Sequence, residues 1–164
     1  MDNLKKAYLA GGCFWGMEEL FRKQIGIIDT EVGYMGGETD KPTYRNHVGH
    51  AEAIEITFDT TQTNYKNILD YFFRIHNPTT IDKQGNDIGS SYRSAIFYQT
   101  EDEKKQAEAM IKIVDDSMQW TDLVVTKIEP FKKFWPAEDY HQDYLQKNKG
   151  GYTCHYERFG SFGV

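Results

Sequence analysis

The segment "AGGCFWGMEEL", residues 10 to 20, sets Cys13 after two glycines and before a run of helical periodicity. A thiol at a helix N-terminus meets free N–H groups and the positive end of the helix dipole, and both favour an anion. That placement predicts a thiol pKa below ~8.5 and a nucleophilic thiolate. The glycines let the backbone pass close to a ligand, and Phe14 and Trp15 could then wall a small apolar pocket beside the sulfur. The same stretch also fits a buried structural cysteine among core aromatics, and taken alone it leaves both readings open.

Further residue types suited to chemistry lie in four other segments. In "VGHAEAIEI", strand parity puts Glu52 on the face of Ile54, Ile56 and Phe58. A carboxyl in an apolar face loses solvation, its pKa rises, and near neutral pH it can donate a proton. A strand-end glutamate that curls to solvent or pairs with an arginine accounts for the same residue. His47 and His50 could mimic a metal site with Glu52, but they lie on a loop with no third histidine nearby, and no metal is expected. "QGNDIGSSYRS" supplies Asp87, Tyr92 and Arg93 in a glycine-bearing turn without a GxxxxGK[ST] phosphate loop. "AEDYHQDYL" places Tyr140 and Tyr144 four apart, on one face of a predicted helix, and "GGYTC" puts Tyr152 just before Cys154. Tyrosine hydroxyls can bind an oxyanion or a sulfoxide oxygen, and each tyrosine equally suits amphipathic packing.

The elements that must position these residues follow from periodicity. "KKAYLAG", "GIIDTEVGYMGG", "AEAIEITFD", "YRSAIFYQT" and "DLVVTKIEPF" read as strands. "FWGMEELFRKQ", "NYKNILDYFFRIHNP" and "EDEKKQAEAMIKIVDDSM" read as helices, the last with Ala107, Met110, Ile111, Val114 and Met118 facing in. "QGNDIGSS" reads as a loop and "AEDYHQDYLQK" as a short helix. The order predicts an α+β two-layer sandwich with a mixed sheet, a ferredoxin-like β-α-β-β-α-β core and an irregular C-terminal tail. Residues 1–164 are expected to form one catalytic domain. Gly150, Gly151 and Gly160 predict that 148–164 is mobile, which would let Cys154 reach a distant partner.

Composition narrows the class. A net charge of −6 with no basic stripe argues against nucleic-acid binding. No apolar run of ~18 residues predicts a membrane span, and the first residues carry too short an apolar run for a signal peptide. A cytoplasmic location is expected. Cys13 and Cys154 are the two cysteines; in a reducing compartment they suit a transient catalytic pair, or two unrelated thiols, better than a permanent staple. A peroxidase, a cysteine hydrolase and an aromatic-rich peptide-binding module remain alternatives on these residues alone.

Six segments in order, "GGCFWG", "GHAEAIEITFD", "FFRIHNPTT", "QGNDIGSSYRSAIFY", "FWPAEDYHQDYL" and "GGYTC", span nearly the whole chain. Together they resemble the A-type peptide methionine sulfoxide reductases. The resemblance implies reduction of the S epimer of methionine sulfoxide, free or in proteins, without a cofactor and with thioredoxin as reductant. It implies that Cys13 is the nucleophile and Glu52 the acid that protonates the sulfoxide oxygen. Tyr92 and Tyr144 would bind that oxygen, Phe14 and Trp15 would hold the substrate methyl group, and Tyr152 would line the substrate side. Asp87 would organise the site, and Cys154 would resolve a Cys13 sulfenic acid. The chain departs from many relatives at Ser91, where they carry glutamine, and in its tail, where Thr153 separates Tyr152 from Cys154.

Overall fold

A computed structural model describes residues 3–163. Strand β1 (Leu4–Gly11) leads through Gly12 and Cys13 into helix α1 (Phe14–Phe21), then β2 (Ile27–Met35), β3 (Ala51–Asp59) and α2 (Tyr65–Ile75). A small hairpin follows, β4 (Lys83–Gln84) and β5 (Asp87–Ile88), and then β6 (Ser94–Tyr98), α3 (Glu101–Asp116), β7 (Lys127–Pro130), β8 (Trp135–Pro136) and α4 (Tyr144–Lys147). The main sheet has the order β7-β6-β1-β3-β2-β8. Its inner four strands are antiparallel neighbours, while β6 and β7 pair in parallel, so the sheet is mixed. The order of β6, β1, β3 and β2 is that of a ferredoxin-like core, as the element order predicts.

Alternation divides the sheet between two apolar layers. Ala7, Leu9, Ile54, Ile56, Phe58 and Ile96 face the helices, where they meet Met17 and Phe21 of α1, Leu69, Phe72 and Phe73 of α2, and Ala107, Met110 and Val114 of α3. The opposite face carries Tyr8, Met35, Ala53 and Phe97, covered by Phe131 and Phe134. Helices α2 and α3 start at capping residues: the side chains of Asn64 and Thr100 accept from the Asn67 and Glu103 N–H groups. The small residue Gly11 ends β1 where a Cβ would meet Phe72 Cε1 at 2.9 Å, so helix and strand close tightly just before Cys13.

Four expectations change. The strand read over "DLVVTKIEPF" reduces to Lys127–Pro130. The "QGNDIGSS" loop contributes Gln84, Asp87 and Ile88 to the β4–β5 hairpin and its serines to a 3-10 turn, Ser90–Tyr92. Met118 lies past the end of α3 in the left-handed region (φ 59°) and is 80% exposed, so it does not face in. The helix read over "AEDYHQDYLQK" breaks into a 3-10 turn, Asp139–His141, and α4, because Asp143 adopts a left-handed conformation (φ 55°) that no helix continues through. Tyr140 and Tyr144 therefore do not share a helical face.

Phe72, fully buried between α2 and the end of β1, tests this packing. Phe72→Ala should cost about 3–5 kcal/mol in urea denaturation, and a loss under about 1 kcal/mol would contradict the close packing described.

Candidate active site

The site forms where the ends of β1, β2 and β3 meet the start of α1. Cys13 is the N-cap residue of α1, and its own side chain caps nothing. The cap comes from another strand: the Phe14 N–H donates to Glu52 Oε1 at 3.1 Å. Glu52 stands on β3 opposite Tyr34 of β2 and is 2% exposed. Burial pushes its carboxyl up to about 8, Asp87 adds to the rise, and the single Phe14 N–H only partly offsets it. Glu52 is therefore largely protonated near neutral pH. The parity argument holds, and the solvent-facing alternative does not.

Cys13 corrects a further expectation. The sulfur sits at the helix start as read, yet its thiol lies well above the ordinary value rather than below it. Burial dominates and the neighbouring Glu52 adds to it; the Trp15 N–H acts the other way and is too weak to win. The resting sulfur is a protonated thiol.

Phe14 is buried with Val32, Tyr34 and Ala137. Trp15 is half-buried and fixed twice: its Nε1–H donates to His141 Nδ1 at 3.0 Å, and Tyr144 stacks on its ring at 3.7 Å with an interplanar angle of 7°. The "AEDYHQDY" segment supplies this support. Gln142 pairs with both backbone groups of Val32, accepting at 2.9 Å and donating at 2.8 Å. Glu138 accepts from the Tyr34 hydroxyl at 2.8 Å and from the Tyr44 N–H at 3.0 Å. Buried Glu18 accepts from the Asp143 N–H and from Thr30 Oγ1, each at 2.8 Å, while Arg22 bridges Glu18, Glu19 and Asp143. These contacts hold the left-handed turn that delivers Tyr144 to Trp15.

Tyr92 reaches the site from the 3-10 turn Ser90–Tyr92. Arg93 binds that turn to the loop before β3, donating to the carbonyls of Ser90 at 2.8 Å and Gly49 at 3.1 Å. The neighbouring hydroxyl belongs to Tyr44, and burial together with the charge of Glu52 raises both phenols. Tyr44 is a site residue that the sequence reading passed over. Its only signal was a tyrosine in the polar loop ahead of "GHAE". Tyr144, by contrast, meets the site through its ring. His141 was also passed over; it is 1% exposed, with its Nε2 unpartnered among the described residues.

Asp87 accepts from the Tyr152 hydroxyl at 3.2 Å, joining the hairpin to the tail on the other side of Cys13. Burial raises its carboxyl and the Tyr152 bond lowers it. Cys154 is half-buried and free, 3.9 Å from the Gln84 carbonyl oxygen. Burial and Asp87 raise its thiol. His47 and His50 are engaged in loop hydrogen bonds, His50 with Gly37 and Thr39, His47 with Thr43 and with Ser91 Oγ at 2.8 Å. Ser91 thus steadies the loop that carries Tyr44.

A buried thiol beside a buried carboxyl and aromatic walls, on this α+β sheet, has the parts of a thiol-dependent oxidoreductase. The comparisons specify which. Residues 5–161 match the family model described as peptide methionine sulfoxide reductase. A Mycobacterium sp. (strain JLS) protein named peptide methionine sulfoxide reductase MsrA is 58% identical over 158 residues, covering 96% of this chain and 92% of the relative. The crystal structure of reduced Mxr1 from Saccharomyces cerevisiae aligns with a TM-score of 0.89 at 37% identity, covering 96% of this chain and 94% of that one. Mxr1 in complex with Trx2 aligns with a TM-score of 0.67 at 28% identity, over 96% and 92% of the two chains. The chain belongs to the peptide methionine sulfoxide reductase family, and its activity is the reduction of methionine sulfoxide.

The raised Glu52 carboxyl carries a stability consequence. The folded state holds this proton more tightly than the unfolded chain, so its contribution is complete below 4.5 and is lost as pH rises through about 8. The wild-type minus Glu52→Gln difference in unfolding free energy should fall by up to about 1.4 kcal/mol per pH unit across that window. Denaturation at a series of pH values checks it, and a flat difference would place the carboxyl in the ordinary range.

Proposed function

We propose that this chain acts on the S epimer of methionine sulfoxide, free or within proteins, through a Cys13 sulfenic acid that Cys154 converts to a disulfide. Thioredoxin then reduces that disulfide in the cytoplasm. The observation that carries the reading is Glu52, a buried, protonated carboxyl bonded to the N–H next to Cys13. A sulfoxide sulfur is electrophilic, but its oxygen leaves only when protonated. Glu52 delivers that proton while the Cys13 sulfur attacks. Tyr44 and Tyr92 supply hydroxyls for the oxygen, and this pair takes the role the resemblance gave to Tyr92 and Tyr144. Tyr144 holds the plane of Trp15, which with Phe14 forms a dry wall for the S-methyl group. Asp87 and Tyr152 bound the side toward the tail.

Net, oxygen passes from substrate sulfur to Cys13 sulfur, and the substrate sulfur gains two electrons. The Cys154 thiol next attacks the sulfenic sulfur; the S–O bond breaks, water leaves and the S–S bond forms. A dithiol partner takes the disulfide by exchange, a reading supported by the Trx2 complex of the yeast relative. A peroxidase reading fares worse, since it leaves the buried Glu52 carboxyl and the aromatic wall of Phe14 and Trp15 without a use.

Separated epimers provide the test, with dithiothreitol as reductant. Only the S epimer should be consumed and Cys13→Ser should consume neither; without added thiol Cys154→Ser should release one methionine per chain, and with thioredoxin in place of dithiothreitol it should stall. Consumption of both epimers would remove the shaped pocket, and turnover by Cys13→Ser would remove the nucleophile. Tyr44→Phe and Tyr92→Phe should each slow methionine release by about a hundredfold or more, the scale of a lost oxyanion donor. Tyr144→Phe, which keeps the stack, should stay within about twofold in the same assay.

A further inference from the structure

The residues Thr153, Cys154 and His155 are seated against the start of α1 and the β4–β5 hairpin. Gly16, the last residue of "GGCFWG", leaves the space: a Cβ there would lie 2.3 Å from Thr153 Oγ1 and 2.5 Å from His155 Nδ1. Gly12 (φ 97°) leaves it on the other side, where a Cβ would lie 3.3 Å from His155 Nε2. His155 is 5% exposed. Its Nε2 lies 2.7 Å from the Gly11 carbonyl oxygen, and its backbone N–H donates to Thr153 Oγ1 at 3.1 Å. A carbonyl oxygen only accepts, so the ring proton sits on Nε2 and Nδ1 keeps its lone pair. Nδ1 is 3.9 Å from Cys154 Sγ. The thiol has a second acceptor at 3.9 Å, the Gln84 carbonyl, which can take a hydrogen bond but not a proton.

We propose that His155 is a catalytic residue of the recycling step: Nε2–H anchors the tail to Gly11, two residues before Cys13, and Nδ1 draws the thiol proton of Cys154 as that sulfur attacks oxidised Cys13. This rests on the reading that Cys154 resolves the Cys13 sulfenic acid. In the step the Cys154 S–H bond and the Cys13 S–O bond break, the S–S bond forms, and the proton ends on the departing hydroxyl, which leaves as water. No further oxidant or reductant enters. The titratable and charged groups around the pair are Asp87 and Tyr152 beside Cys154, Arg158 beside both, His76 beyond the imidazole, and Cys13. Burial lowers His155 to about 4, with Arg158 acting the same way and the Gly11 hydrogen bond opposing them, so the resting imidazole is neutral; as a weak base it takes the proton only as the S–S bond forms and relays it to the departing hydroxyl.

The test is a single turnover with methionine sulfoxide and no added thiol, following methionine release and the loss of free thiols separately. His155→Gln keeps an N–H that can reach the Gly11 carbonyl and has no lone pair at the Nδ1 position; His155→Ala loses both. Each variant should release one methionine per chain at the wild-type rate. In His155→Gln, disulfide formation near pH 7 should slow by about tenfold or more, and the gap should close at high pH, where the Cys154 thiolate needs no acceptor. A merely structural lesion is not rescued by pH. Disulfide formation within about twofold of wild type, or a gap unchanged at high pH, would overturn the proposal. In the unaltered protein, nitrogen NMR should find the His155 proton on Nε2, and the opposite tautomer would overturn it even if the variants failed to fold. Wild-type protein that releases methionine but forms no disulfide would instead remove the role of Cys154, and His155 with it. Wild-type protein that releases none would remove the chemistry one step earlier.

Discussion

One hydrogen bond organises this protein, the donation from the Phe14 N–H to the Glu52 carboxyl. A helix start leaves N–H groups without partners, and Cys13 offers none from its side chain. A carboxyl from the neighbouring strand fills that need, and in doing so fixes an acid beside a sulfur. The same burial that brings the two groups together decides their protonation. Taking both from water favours the neutral forms, and one N–H each to Glu52 and Cys13 is too little to reverse that. The site rests as an acid and a thiol, both holding protons, rather than as an ion pair.

Around that bond the chain spends several long-range contacts on holding aromatic surfaces still. Gln142 replaces a strand residue on Val32, Glu138 gathers Tyr34 and Tyr44, and Glu18 with Arg22 holds the turn at Asp143. Each contact joins the "AEDYHQDY" segment to α1, to β2 or to the loop after it. The segment forms little regular structure of its own, so its conformation is set by these partners. Trp15 and Tyr144 stack because two independent supports converge on them.

Much of this was legible in the sequence wherever a period was involved. A strand alternates every residue, so the side of β3 on which Glu52 falls could be counted from Ile54 and Ile56. Helical spacing likewise placed Ala107, Met110 and Val114 on the inner face of α3. Reading failed where two local effects oppose each other or where distant segments meet. The helix start and burial act on Cys13 in opposite directions, and only the surroundings in space say which prevails. Tyr44 lies in a loop whose course depends on His47, His50, Ser91 and Glu138, none of which a periodic pattern connects to it. The break at Asp143 depends on Glu18, 125 residues away. A local pattern of tyrosines four apart cannot contain that.

The placement of Met118 has a further meaning for a molecule that works among oxidants. Met17, Met35 and Met110 are each 1% exposed, whereas Met118 is 80% exposed past the end of α3. An oxidant in solution meets that outer thioether first. Oxygen added there enters solvent, while oxygen added to the inner three would set a polar group among packed side chains. Among the described residues, then, the chain's own methionines stand in two tiers, one sulfur open to damage that the fold tolerates and three kept behind the surface.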